Sequence, residues 1–286
     1  MAELTRDNLR HFRQLFRQGS NPAAVVYDSL GADFVLAPAP GWLNLGLWEG
    51  PGHPDDAPAA VRRLVEVLCA PLPRGAAILD VGNGLGAQDL VIAEVARPQT
   101  LVALNITESQ LHAGRPVLAE AGGLPVVGDA TRLPLADESV DGVISVEAAF
   151  HFPSRAAFFS EARRVLRPGG VLSMSDVSAE RPPRRPSELL AGFGMMRFWG
   201  LGRQAIAGWR QIAAQARQAG LVDVEVERVG DRVFDQALSL ARHKLEASQE
   251  VPAVVRMAGR TLLAQWGLLW ERGMIEYLLL HGRVPG

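Results

Sequence analysis

Cysteine is nearly absent from this chain: Cys69 stands alone among 286 residues. A lone thiol excludes a disulfide framework and any metal cluster built from cysteines. Charge of one sign is missing too, with 29 lysines and arginines against 31 acids. Nucleic-acid binding normally needs a basic face, so nucleic acid is not expected as a partner. No uninterrupted apolar run approaches the roughly 20 residues of a membrane-spanning helix. Residues 1–18 are charged throughout and hold no signal-peptide apolar core. The expectation is a cytoplasmic protein with no membrane partner. No acid or histidine cluster has metal-ligand spacing, so no metal is expected, and neither repeats nor low-complexity tracts appear.

What the chain does have is apolar bulk, 48% of its residues, enough to bury a large core as one big domain or a domain with a cap. Residues 5–18 read as an amphipathic helix with Leu9, Phe12 and Phe16 on one side. Arg6, Arg10, Arg13 and Arg17 form a basic stripe along it, either a solvated face or a docking site for an acidic carrier protein or a phosphorylated substrate. Residues 21–58 are rich in proline, glycine and aromatics, too irregular for a core element and too apolar for a disordered linker. They read as a lid over a pocket, or as ordinary packing beneath a long loop. A short helix follows at 59–69, ended by Pro71 and Pro73.

From there strands alternate with helices. Strands are expected at 78–81, 100–105, 125–127, 142–146 and 171–175. Helices are expected at 87–96, 107–121 and 156–166, with a turn at 167–170. After Asp176 the rhythm breaks at RPPRRP and GFGMMRFWGLG, within 179–207. It resumes with a helix at 208–219, a strand at 221–229, helical stretches at 235–248 and 253–271, and a last strand at 274–281. This spacing means an α/β fold, a doubly wound, Rossmann-like and mostly parallel sheet of seven strands with helices on both faces. An N-terminal lid and helical insertions forming a cap would complete it.

The stretch AAILDVGNGLG, residues 76–86, is the likeness of a buried strand running into a glycine loop and then a helix. Glycines at 82, 84 and 86 let backbone N–H groups approach a ligand closely. Gly82-x-Gly84-x-x-Ala87 also satisfies the loose dinucleotide fingerprint, and a tight turn that binds nothing would look the same.

Downstream motifs decide between these. LDVGNGLG at 79–86, LNITESQL at 104–111, GDATRLPLADESVDGVIS at 128–145 and RVLRPGG at 164–170 stand in the order and spacing of one family. Together they make the chain resemble a class I S-adenosylmethionine-dependent methyltransferase, most closely over residues 76–176. The resemblance implies that S-adenosylmethionine is the cofactor. It places Gly82 and Gly84 against the methionine moiety, with Asp80 bracing the loop and attracting the cofactor's ammonium. It places Asn105 on the ribose hydroxyls, Gln110 on a second ribose contact, Ile106 over adenine, and Asp129 and the Ala130 N–H on the adenine edge. Many members carry an acid at the position of Asn105, and an amide accepts through only one oxygen. Helix or turn capping is the other reading of Asn105 and Asp129. Tyr27 and Glu147 join the implied cofactor contacts. A dinucleotide-binding oxidoreductase would want an acid at 105 and leave Asp129-Ala130 without a purpose.

The implied domain organisation is residues 1–73 as N-terminal helices and lid, 74–178 as the cofactor-binding core, 179–207 as a cap insertion, and 208–286 as the end of the core with a helical cap insertion at 235–271. Such a cofactor is already electrophilic, so the protein has mainly to align a nucleophile and exclude water. A base is needed when the acceptor is an alcohol or phenol. In related sugar and small-molecule O-methyltransferases a histidine at the position of His151, in AAFHFP, is the general base; packing between Phe150 and Phe152 is its other reading. Glu147, in SVEAAF, is the second catalytic candidate, or a structural contact. Trp42, Trp48, Met195, Phe198 and Trp199 are expected to line a pocket for a large apolar acceptor such as a polyketide, macrolide, terpenoid or aromatic metabolite. Met196, Trp266 and Trp270 are further candidates.

No Asn/Asp-Pro-Pro-aromatic motif follows the fourth strand, as N6-type nucleic-acid methylation would use. Cyclopropane fatty-acid synthases resemble the chain around Tyr27-Asp28 and LNITESQ, yet carry glutamate where Phe150 stands, so their bicarbonate site looks absent. The expected reaction is O-methylation of an apolar natural product. The alternatives are C-methylation of an isoprenoid or polyketide, or a cofactor-binding cyclase or isomerase that transfers no methyl. A homodimer is possible on this reading.

Overall fold

The computed structural model describes residues 37–50, 53–247 and 253–286. The expected helix at 5–18, Tyr27 and most of the lid at 21–58 lie outside the described residues. In chain order the elements are α1 (Ala57–Cys69), β1 (Ala77–Val81), α2 (Ala87–Ala96), β2 (Thr100–Asn105), α3 (Glu108–Ala113), α4 (Arg115–Glu120), β3 (Gly123–Val127), β4 (Val140–Ser145), α5 (Arg155–Val165), β5 (Leu166–Ala179), α6 (Pro186–Phe198), α7 (Trp209–Gln218), β6 (Val222–Arg228), α8 (Phe234–Ala247), α9 (Ala253–Glu271) and β7 (Ile275–Arg283).

The seven strands form one sheet in the order β3-β2-β1-β4-β5-β7-β6. All neighbours are parallel except β7, which runs antiparallel to both β5 and β6. Because β1 continues to β2 on one side and the chain returns to β4 on the other, the order reverses between β1 and β4. The crevice at the carboxyl ends of those two strands is where an open α/β sheet takes its ligand.

Alternation along the strands sends neighbouring residues to opposite faces. Leu278 and Leu280 join Phe158, Phe159 and Ile212 beneath α5 and α7. Tyr277 and Leu279 join Leu64, Leu68, Phe234 and Leu238 beneath α1 and α8. Each such side chain, taken fully out of water, contributes about 1.5–3 kcal/mol before the entropy of ordering is set against it. A third cluster, Ala191, Met195, Leu262, Leu269 and Met274, joins α6 to α9 and is bordered by Trp199 and Trp266.

Three expectations need correction. The single helix at 107–121 is two, α3 and α4, because Pro116 in the first turn of α4 has no N–H to continue the ladder. Gly114 at the break also lies close to the glycine loop, since a Cβ there would stand 2.5 Å from the Leu85 carbonyl oxygen. The turn at 167–170 is instead part of β5, a register irregularity opposite Val140–Gly142 with Gly169 in left-handed backbone. And β5 does not stop at Ser175: nine residues from Val171 to Ala179 pair with β7, carrying the strand past the crevice toward α6.

Ser154 starts α5 by accepting the Ala157 N–H at 3.1 Å. The Arg155 guanidinium that follows is buried and donates to both Asp176 oxygens, at 2.7 and 3.2 Å, and to the Val177 carbonyl at 3.1 Å. The start of α5 is thereby fixed to the end of β5, on the ligand side of the sheet.

Candidate active site

At the end of β1 the chain turns through Gly82 and Gly84 with φ of 82° and 59°, the left-handed region that glycine enters freely. The Gly82 N–H donates to the Leu104 carbonyl at 2.8 Å, tying the loop to β2. A Cβ on Gly82 would stand 2.5 Å from that of Ala148, so the loop and the segment after β4 touch there. Behind the loop lie two buried carboxyls. Asp80 accepts from Gln88 Nε2 at 2.6 Å, and Asp89 from Asn83 Nδ2 at 3.1 Å. Burial first, then the neighbouring Asp89, hold the Asp80 carboxyl well above its ordinary range. Burial pushes Asp89 up to about 7 against the pull of Asn83. Two carboxyls so placed share a proton rather than both ionise. Asp80 braces the loop from behind and does not itself line the cavity. Asp89 escaped the sequence reading; its one signal is an acid in the first turn of the helix after the loop.

The cavity in front of this loop has a volume of about 630 Å³. Asn105, Ile106, Gln110, Asp129 and Ala130 all line it. Asn105 is not free to meet a ligand with its whole amide. Its Nδ2 donates to the Gly84 carbonyl at 3.2 Å and to Gln110 Oε1 at 3.0 Å, and its Oδ1 accepts the Thr107 N–H at 3.0 Å. That last bond is an Asx turn, the turn-capping role of asparagine, and it orders the chain just before Thr107, the N-cap of α3. The buried donor left over is Gln110 Nε2, which has no partner among the described residues. A buried unpaired donor at a cavity wall costs stability unless a ligand or water meets it. Asp129 uses Oδ1 for the Thr131 N–H and hydroxyl, both at 2.8 Å. Ile106 is exposed to the cavity as an apolar side chain.

Beyond the glycine loop stands Glu147, at the tip of β4 and in left-handed backbone with φ of 50°. Such strain in a residue other than glycine gathers at active sites. Its Oε1 accepts the Tyr277 hydroxyl at 2.6 Å and the Leu45 N–H at 2.7 Å, while its own N–H donates to the Ser175 hydroxyl. Burial outweighs these two bonds and pushes the carboxyl up to about 7. Tyr277 was missed, because a tyrosine in the last strand, 130 residues on, gives no local sign that it reaches β4.

His151 lines the same cavity on the short turn Ala149–His151, with its ring 4.2 Å from that of Phe150. This turn adjoins Ala148, which faces Gly82, and it packs against the turn Arg203–Ala205. Burial, with the Arg155 guanidinium second, pushes the imidazole down to about 3, so the ring is neutral at physiological pH.

Of the five expected acceptor-pocket residues, Trp42, Met195 and Trp199 line the cavity, and Trp266, Met196 and Leu269 join them. Two do not. Trp48 is buried beneath the chain among Ala57, Ala60 and Leu240, its indole N–H donating to the Leu45 carbonyl at 3.0 Å. Phe198 packs against the Met195, Leu262 and Leu269 cluster and edge-on against Trp199, ring centroids 5.0 Å apart. In both, local packing claims the side chain. Trp270 is likewise engaged, by Asp235 at 2.8 Å.

Set against known proteins, residues 79–174 match a methyltransferase domain. Over 93% of this chain and 91% of its own length, erythromycin 3''-O-methyltransferase of Saccharopolyspora erythraea is 28% identical. The 27-O-demethylrifamycin SV methyltransferase of Amycolatopsis mediterranei is 32% identical over 82% of this chain and 89% of its own. Among solved structures, a cyclopropane synthase of Mycobacterium tuberculosis superposes with a TM-score of 0.74 at 19% identity, covering 90% and 95% of the two chains.

Proposed function

Since the chain belongs to the S-adenosylmethionine-dependent methyltransferases, we propose that it methylates a hydroxyl of an apolar natural product, with His151 taking the hydroxyl proton. The observation that carries this reading is one continuous cavity with a polar end at Gly82, Gln110 and Asp129 and an apolar end at Met195, Trp199 and Trp266. His151 stands on a turn that touches both the glycine loop and the far wall. A volume of about 630 Å³ lies well inside the range of small-molecule pockets. The two relatives are named for O-methylation of natural products, which supports oxygen over carbon as acceptor atom.

The residues at the polar end fit the cofactor. Gln110 Nε2 is a donor in want of an acceptor such as a ribose hydroxyl. On this reading the second oxygen of Asp129 accepts from the adenine amino group and Ile106 covers the ring, both residues lining the cavity. The Cβ-free cradle of Gly82 and Gly84 admits the methionine moiety at the backbone. Asn105 then acts through Gln110 and Gly84, holding both in place rather than gripping the ribose alone. When bound, S-adenosylmethionine supplies a methyl group on a positively charged sulfur, already electrophilic. The apolar walls exclude water and hold the acceptor in line. A hydroxyl becomes strongly acidic as it takes on a methyl group. A weak but well-placed base therefore suffices, and the buried imidazole is neutral at physiological pH.

The test is incubation with methyl-labelled cofactor and a panel of macrolide, polyketide and aromatic alcohols. Label on a product oxygen supports the reading. Label on carbon, or turnover without S-adenosylhomocysteine, would replace it with C-methylation or cyclisation. His151→Ala is expected to lower kcat by about 100-fold or more, the range for general-base loss, with cofactor affinity unchanged. Near-normal turnover in that variant removes His151 from the mechanism.

A further inference from the structure

Helix α6 presents an apolar ridge to solvent. Leu189, Leu190 and Phe193 are 62%, 66% and 67% exposed, and Ile206 beyond the helix stands out as well. Surface leucines scattered singly need no explanation, but a contiguous apolar group does. Leu189, Phe193 and Ile206 also line the cavity, so among the described residues the cavity reaches the surface beside them. Arg185, Leu189, Phe193 and Arg197 recur every four residues and share one stripe of the helix. Between residues 180 and 210 there are six arginines and two acids, in a chain whose net charge is -2. Both acids are engaged: Glu188 by the Arg181 guanidinium and the Arg184 N–H, Glu180 by the Trp209 N–H. Arg184, Arg185 and Arg203 are exposed.

We propose that this lip, apolar at its centre and basic at its edge, docks the enzyme on an anionic phospholipid surface. Protruding leucine and phenylalanine enter the headgroup boundary, and arginines meet lipid phosphates around them. The placement of the opening favours a bilayer over an acidic protein. A protein seated on the lip would plug the entrance, whereas a fluid bilayer covers the apolar rim and also holds dissolved apolar molecules. An acceptor partitioned in the membrane then enters the cavity without crossing water. The contact is peripheral: among the described residues no helix is long and apolar enough to cross a membrane. The sequence expectation of no membrane partner rested on the want of a spanning segment, which a surface contact does not need. The inference holds whichever atom is methylated, and its test measures no turnover.

The test is flotation of the full chain with vesicles of phosphatidylcholine alone or with one-third phosphatidylglycerol. The bound fraction is expected to be on the order of tenfold greater on the anionic vesicles and to fall sharply as salt rises to about 0.5 M. The double variant Arg184→Glu, Arg185→Glu and the single variant Leu190→Gln should each lose most of that binding. Calorimetric affinity for S-adenosylhomocysteine serves as the control for folding in both. Three results overturn the proposal: equal binding to neutral and anionic vesicles, anionic binding unchanged in both variants, or no vesicle binding with a dimer that Leu190→Gln splits. The last would make a second copy of the chain the occupant of the lip.

Discussion

Glu147 shows how much a single side chain is asked to hold. Its backbone is strained at φ of 50°, and one carboxylate oxygen keeps both Leu45 and Tyr277 in place. Neither bond offsets burial, so the acid is pushed from its ordinary 4.5 up to about 7. The folded protein therefore keeps a proton that the unfolded chain releases. The stability this site contributes is complete below pH 4.5 and is lost as pH rises to about 7. Glu147→Gln keeps an oxygen for both donors and removes the titration. Its stability relative to wild type should rise by roughly 1–2 kcal/mol between pH 5 and pH 8, somewhat less than the full ~1.4 kcal/mol per pKa unit because the side chain keeps an edge on the cavity. Denaturant melts of both proteins at the two pH values check it; a difference that stays constant would mean the carboxyl is already ionised at pH 5.

Among elements, the join between α5 and β5 rests on Arg155 and Asp176. Both side chains are buried, and the guanidinium also reaches the Val177 carbonyl. Removing one partner of such a pair strands the other without a counter-charge, at about 3–5 kcal/mol. Replacing both with apolar groups removes that penalty. Arg155→Leu is therefore expected to cost more in urea unfolding than the double variant Arg155→Leu, Asp176→Leu; a double variant worse than the single would show that the pair contributes net stability. This contact also marks a limit on what could be read from sequence. The strands of the parallel half were legible because apolar runs bounded by glycine and proline fix their type and order, as at Ile78–Val81, though not always their ends, as β5 shows. So was the glycine loop, whose Gly82 and Gly84 have no use other than left-handed backbone and close approach. Contacts made only when distant strands meet left no trace: Tyr277 on Glu147, or Arg155 on Asp176. Nor does composition tell an aromatic at the cavity from one packed beneath it: Trp42 and Trp199 line the cavity, whereas Trp48 and Phe198 do not.

For the molecule as a whole, the glycine loop alone would suit a dinucleotide as well, and what separates the two ligands is charge. A diphosphate seeks the bare N-terminus of the helix after the loop, where unpaired N–H groups and the helix dipole favour an anion. Here that end of α2 is backed by Asp80 and Asp89, two buried carboxyls holding fewer protons at neutral pH than would silence both. Negative charge behind the loop repels a diphosphate and attracts a ligand that carries an ammonium. Because the cavity is walled by the glycine loop, the tip of β4 and α6 and α9 together, a ligand seated in it stabilises the whole fold rather than one lobe. S-adenosylhomocysteine at a hundred times its Kd should add about 2.7 kcal/mol, which for a chain of this size raises Tm by roughly 5–10 °C. NAD at the same concentration should leave Tm unchanged. Asp89→Asn keeps the side chain's shape but removes the charge, and the response to S-adenosylhomocysteine should shrink while the unliganded protein melts no lower. Scanning calorimetry on the two proteins decides it, and a shift by NAD equal to that by S-adenosylhomocysteine would show that backbone geometry, not the carboxyl pair, selects the ligand.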